Sequence, residues 1–143
     1  DAGRTGLGRA DLCGATSRSS AYAYGQVNHK VNRWIGYRFS IEHGNHLGWN
    51  SPNQSVTYGT LSLNWVILLN TDFYTYLSGG PGREEGGCYN EDFTFFQAGL
   101  RFQWQFAQRW SLLAGYNYLQ KTSDRTLREF TQNRVNLGVG WKL

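Results

Sequence analysis

The chain has 143 residues, enough for one domain and too few for a second core. Aromatic residues make up 16%, there are eighteen glycines, two prolines and no methionine, and mean hydropathy is −0.54; with no uninterrupted apolar run of about 18 residues, a helical membrane protein is excluded. The formal charge of +4 comes from scattered basic residues, which argues against nucleic acid as a partner.

Residues 1 to 20 are rich in Gly, Ser, Arg and Thr without a sustained period, and read as a loop. The chain starts at Asp1 with neither Met nor an apolar signal segment, as a processed protein or an internal fragment would. A first strand is expected from about Ala21 to Val31, the least decisive in its alternation. Asn32-Arg33 turns the chain into a second strand, Trp34 to about His43, with Ile35, Tyr37, Phe39 and Ile41 on one face and Gly36, Arg38, Ser40 and Glu42 on the other. A polar connection, 44 to 55, leads to a third strand, Val56 to Leu68, where Leu61, Leu63, Trp65 and Ile67 oppose Thr60, Ser62, Asn64 and Val66. After a turn at Asn70-Thr71-Asp72, a fourth strand covers Phe73 to Leu77, followed by a long loop, 78 to 92. Glu84 and Glu85 in that loop lack the regular acidic spacing of a calcium site.

A fifth strand, Phe93 to Phe106, sets Phe96, Ala98, Leu100, Phe102, Trp104 and Phe106 against Gln97, Gly99, Arg101, Gln103 and Gln105. Ala107-Gln108-Arg109 turns it into a sixth, Trp110 to about Lys121, and the loop 122 to 129 precedes the seventh, Phe130 to Leu143. In this last strand Val135, Leu137, Val139, Trp141 and Leu143 alternate with Arg134, Asn136, Gly138, Gly140 and Lys142, oil on one side and water on the other.

Short connections near 32, 70 and 108 alternate with long ones at 44–55, 78–92 and 122–129. Outer-membrane barrels show that asymmetry, with short periplasmic turns and long outer loops. The expected fold is therefore all-β: a single domain, 1-143, forming an antiparallel up-and-down transmembrane β-barrel with 1-20 as an outer loop and seven recognisable strands in 21-143. Seven is odd, whereas single-chain barrels use an even number. Either an eighth strand lies within 1 to 14, or several copies build one barrel, or, the preferred reading, the chain is the C-terminal part of a larger barrel.

Residues 112 to 143 carry Tyr116, Tyr118, Ser123, Asp124, Asn133, Arg134, Val135, Leu137 and Gly138 in a Tyr-x-Tyr strand, a Ser-Asp loop and an Asn-Arg-Val-x-Leu-Gly strand. This run resembles the C-terminal hairpin of Gram-negative outer-membrane β-barrel porin-like proteins, including barrels associated with exopolysaccharide export. Such barrels usually finish on Phe, and this chain finishes on Leu143.

On the barrel reading, lipid contacts Ile35, Phe39, Leu61, Leu63, Trp65, Leu100, Phe102, Trp104, Leu112, Val135, Leu137 and Val139. Arg38, Glu42, Asn64, Arg101, Gln103, Gln105, Asn117, Lys121, Arg134, Asn136 and Lys142 line the lumen, as an ion-paired plug in a small barrel or as the wall of a weakly anion-preferring channel in a wide one. Cys13 and Cys88 fall on one rim and are expected to pair as a disulfide, against readings as free thiols or partners in another chain. His43, Asn45 and His46 gather with Glu42 near the outer end of the second strand. The group faintly resembles an outer-membrane lipid A deacylase motif, but Asn45 stands where a Ser nucleophile belongs and cannot serve as one.

The expected function is a passive pore or structural scaffold in the outer membrane of a Gram-negative bacterium, part of a larger export or transport assembly. Its partners are membrane lipid and a further barrel segment or protein chain that closes the sheet; no enzyme activity, cofactor or metal is expected. Two rivals are carried: a soluble up-and-down barrel binding a small apolar ligand, with the apolar rows turned inward, and an outer-membrane lipid hydrolase using His43.

Overall fold

Period-two alternation makes each segment a pleated ribbon with two chemically different faces. In the computed structural model, which describes residues 21–46, 53–85 and 90–141, seven such ribbons follow one another. They are β1 (Ala23–Lys30), β2 (Ile35–His46), β3 (Asn53–Leu68), β4 (Thr71–Glu85), β5 (Glu91–Ala107), β6 (Trp110–Ser123) and β7 (Phe130–Trp141), with a 3-10 turn at Thr126–Arg128. Each pairs antiparallel with the next, giving one open all-β sheet in the order β1 to β7.

The pairing matches like with like. Ile35 faces Trp65, Trp65 faces Phe73, Phe73 faces Phe102, Phe102 faces Ala114 and Ala114 faces Leu137. One row further on, Gly36, Asn64, Tyr74, Arg101, Gly115 and Asn136 line up in the same manner. Directly paired residues project to the same side, so one face of the whole sheet is apolar and the other polar.

Connections at one end are short: 31–34, 69–70 and 108–109. In the first of them the Asn32 side-chain oxygen accepts from the Trp34 and Ile35 amides at 2.8 and 2.9 Å, an Asx turn built by a residue suited to it. Connections at the other end span 47–52, 86–90 and 124–129.

The largest difference from expectation is in β4. The segment 78–85 is strand rather than loop, β5 begins at Glu91, and Thr71 belongs to β4 rather than to the turn. Glycines and Pro81 disguise the period, because Gly80 and Gly82 continue the row of Tyr74, Tyr76 and Ser78 without side chains to announce it. Space explains them. A Cβ at Gly80 would overlap the Thr57 carbonyl oxygen, one at Gly82 the Phe93 ring, and one at Gly99 the Tyr76 ring. Pro81 has no N–H to donate, and the β3–β4 pairing runs to Gly59↔Gly79 and resumes at Val56↔Gly82.

Side chains reach over an intervening strand on the polar face. Tyr58 meets Phe95 across β4, ring centroids 5.9 Å apart, and the Tyr76 hydroxyl donates to Asn117 Oδ1 across β5 at 3.0 Å. Convergence of that kind marks the inside of a curve, so the polar face is concave.

Gly99→Val should lower stability by about 1–3 kcal/mol, the usual cost of overfilling a packed site. Gly25→Val, where an added Cβ meets nothing within 4 Å, should stay within about 0.5 kcal/mol of the parent. Urea unfolding midpoints of the two variants check the contrast.

Candidate functional site

The concave face is layered by the register. Nearest the long connections stand Glu84 and Glu91, directly opposite each other and exposed by only 2% and 1%. Two facing carboxylates out of water need cations close by. Lys121 Nζ lies 2.6 Å from Glu91, Arg128 from the 3-10 turn bonds Glu91 and lies 3.3 Å from Glu84, and the Ser123 hydroxyl donates to Glu91 at 2.7 Å. The 3-10 turn is thereby drawn over the end of the polar face.

Next come aromatic rings. Phe93 lies over Gly82 with Lys121 Nζ 4.4 Å from its centroid, and Tyr58 donates to Glu42 at 2.7 Å. Below these lies a neutral layer, where Thr60 bonds Ser78 at 2.9 Å and Gln97 donates to Tyr76 at 2.7 Å. Toward the short turns the register then aligns Asn28, Arg38, Ser62, Tyr76, Gly99, Asn117 and Arg134, and after them Lys30, Gly36, Asn64, Tyr74, Arg101, Gly115 and Asn136.

Of the expected inner row, Arg38, Glu42, Asn64, Arg101, Gln103, Asn117, Lys121, Arg134 and Asn136 share this concave face. Gln105 lies within the register shift between Trp104 and Ala107; its amide donates to the Asn70 carbonyl and its side chain to the Gln108 carbonyl. Lys142, Cys13 and Cys88, and with the cysteines the expected disulfide, lie outside the described residues. Every residue of the expected outer row is on the opposite, apolar face.

The supposed grouping of Glu42 with His43 and Asn45 is undone by the pleat. Glu42 points to the concave face, where Tyr58 holds it, whereas His43 pairs with Thr57 on the other face, Nδ1 to Oγ1 2.7 Å. Among the described residues His43 has no carboxylate partner to orient it as a catalytic base.

The carboxylate cluster itself was hidden. Glu84 and Glu91 fall in the stretch read as a loop, and Arg128 in another; only the unbroken period through Gly80, Gly82 and Glu84 could have revealed them. At the same rim the Arg83 guanidinium holds Asp92 by two bonds, 2.6 and 3.1 Å, on the apolar-face side. Asp124 closes on Asp92 from the next connection, accepting from its amide and donating its own to its carbonyl.

These rim groups lie beyond the last apolar residue of their strands. Burial alone would raise the Glu91 carboxyl, but bonds from Lys121 and Ser123 and the charges of Lys121 and Arg128 outweigh it and hold it below the ordinary glutamate value. Bonds from Arg83 likewise hold Asp92 low.

No known protein family, curated protein or solved structure matches the chain.

Because these carboxyls titrate lower in the folded state, their contribution to stability is complete above the unfolded-state values and is lost as pH falls through the folded ones. Urea midpoints should therefore drop on acidification below the usual carboxylate range. Glu91→Gln, which leaves Lys121 and Arg128 facing one carboxylate, should cost about 3 kcal/mol at neutral pH and give a shallower acid limb.

Proposed function

We propose that this chain forms the wall of an outer-membrane β-barrel in a Gram-negative bacterium and works as a passive pore or structural scaffold, without a catalytic step. One observation carries the reading: burial is inverted relative to a water-soluble fold. Ser62 is 8% exposed on the concave face while Leu61, Trp104 and Leu137 on the convex face are 48%, 42% and 78% exposed. Continuous exposed apolar surface of that extent belongs against a partner or a membrane.

The shape of the apolar area favours lipid. On β5 it runs from Phe96 to Trp104, about 27 Å along a strand at ~3.4 Å per residue, and roughly 20 Å along the normal at the tilt usual for such barrels. Aromatic rings edge it toward the short turns, with Trp104 against Phe106 and Trp110 against Trp141. Toward the long connections the same face turns polar at His43, Thr57, Thr94, Arg83 and Asp92. Among the described residues no helix is long and apolar enough to cross a membrane, so any crossing falls to the strands. The likeness of residues 112 to 143 to barrel hairpins agrees with this.

The outer edges of β1 and β7 pair with no strand among the described residues. Unsatisfied backbone groups in hydrocarbon cost several kcal/mol each, so a further barrel segment or another chain closes the sheet. A soluble barrel around an apolar ligand would need the convex row inside, against the direction of the curvature. It would also stay monodisperse without detergent.

Refolded protein should require detergent, and acyl-brominated lipid should quench its tryptophan fluorescence. Leu137→Arg, near the middle of the apolar band, should lower stability in bilayers by about 2–4 kcal/mol, whereas an effect near zero would remove lipid from that face. In planar bilayers, discrete conductance steps support the pore; silence at every voltage leaves the scaffold.

A further inference from the structure

We propose that the short-turn half of the concave face is a binding site for water-borne oxyanions that carry two or more negative groups. Lys30, Arg33, Arg38 and Arg101, together with Asn64 and Tyr74, line one open cavity of about 960 Å³. That is the size of an ordinary small-molecule site. The proposal deepens the pore reading by naming a solute class, and rests on it in one respect, that the concave face meets water rather than acyl chains.

Among the described strand residues four carboxylates share this face, Glu42, Asp72, Glu84 and Glu91, and none lines the cavity. The carboxylates Glu84 and Glu91 stand at the far end with Lys121 and Arg128 to neutralise them. Among the described residues none of the four cavity cations makes an ion pair. The acid closest in register, Asp72, sits opposite Gln103 and outside the cavity lining. Four cations gathered around one cavity repel each other unless an anion joins them.

The donors are also aimed and unspent. Arg38 gives its Nε proton to Asn28 Oδ1 at 2.7 Å, which fixes the guanidinium and leaves both terminal nitrogens. Arg101 lies over the Tyr74 ring, Cζ 5.3 Å from its centroid, a cation–π contact, and among the described residues no oxygen accepts from its guanidinium. An edge with parallel N–H groups suits carboxylate, phosphate or sulfate.

Spacing then selects valence. Arg101 is in one register row with Lys30, and Arg38 is two residues away in the next. From β2 to β5 is three strand spacings, roughly 14 Å along the sheet. A ligand with separated negative groups engages both guanidiniums where they stand; a single oxyanion group would have to draw the two long side chains together.

The test is calorimetric titration of the full chain in neutral detergent with sodium tripolyphosphate, with monophosphate and spermidine as comparison ligands. Tripolyphosphate should bind saturably and at least about tenfold more tightly than monophosphate, spermidine should not bind, and about 0.5 M salt should abolish binding. Arg38→Gln/Arg101→Gln should weaken tripolyphosphate at least about tenfold, while Arg83→Gln at the rim binds as the parent does. No saturable binding by the parent, or undiminished affinity in the double variant, overturns the proposal. If the double variant does not fold, Lys30→Gln carries the same test, and unchanged affinity there overturns it equally. A chain quenched by brominated lipid that binds no polyanion sinks the site and spares the barrel; a chain that binds the polyanion but stays soluble without detergent does the reverse.

Discussion

The rest of the structure depends on register. A strand shifted by one residue would carry its whole apolar row to the concave face, and the chain of pairings from Ile35 through Trp65, Phe73, Phe102 and Ala114 to Leu137 shows no such slip. The irregularities that do occur, between Val66 and Leu68 and between Trp104 and Ala107, both lie against two-residue turns, where only the closing pairs Leu68↔Thr71 and Ala107↔Trp110 follow. Register is specified here by the contrast between faces. It is then held by the turns and by residues such as Gly80, which permit one backbone to come close to another.

With the faces fixed, curvature decides how charge can be arranged. On the concave side, side chains of alternate strands converge, and two of the large rings lie where a neighbour has no side chain. These are Tyr76 over Gly99 and Phe93 over Gly82. The rings and the facing carboxylates crowd the long-connection end, and the Arg128 turn covers it. The other end keeps cations and amides around open volume, with Asp72 at its margin. A face that is filled at one end and open at the other has a direction, which a uniformly polar wall would lack.

How much of this could be read in the residues follows from the side chains. Where bulky apolar residues alternate with polar ones, as from Phe96 to Trp104 or Val135 to Trp141, strand, face and partner face were all legible. From Gly79 to Gly82 the period persists in the backbone while the side chains that would display it are absent, and a Pro falls in the middle. Glycine there is a response to Tyr58 and Phe93, residues on other strands whose approach no local pattern encodes. Glu84 and Glu91 were lost for the same reason, since their burial depends on Lys121, Ser123 and Arg128 arriving from far along the chain. The grouping of Glu42 with His43 erred differently: adjacency in sequence suggested a cluster, and the pleat sends consecutive side chains to opposite faces.

In water, the outer edges of β1 and β7 could be satisfied by solvent, and an open curved sheet would be tolerable except for its exposed apolar side. In hydrocarbon, the apolar side is satisfied and the edges become the cost. No single environment suits an isolated seven-stranded ribbon of this composition, because each relieves one face of the problem and aggravates the other. On the proposed barrel reading, closure would remove the conflict: it would pair the edge amides and carbonyls, keep the convex row against acyl chains, and enclose Arg38, Arg101 and Arg134 around water. The same step that makes the sheet stable in a membrane would turn its cationic half from an open trough into a ring.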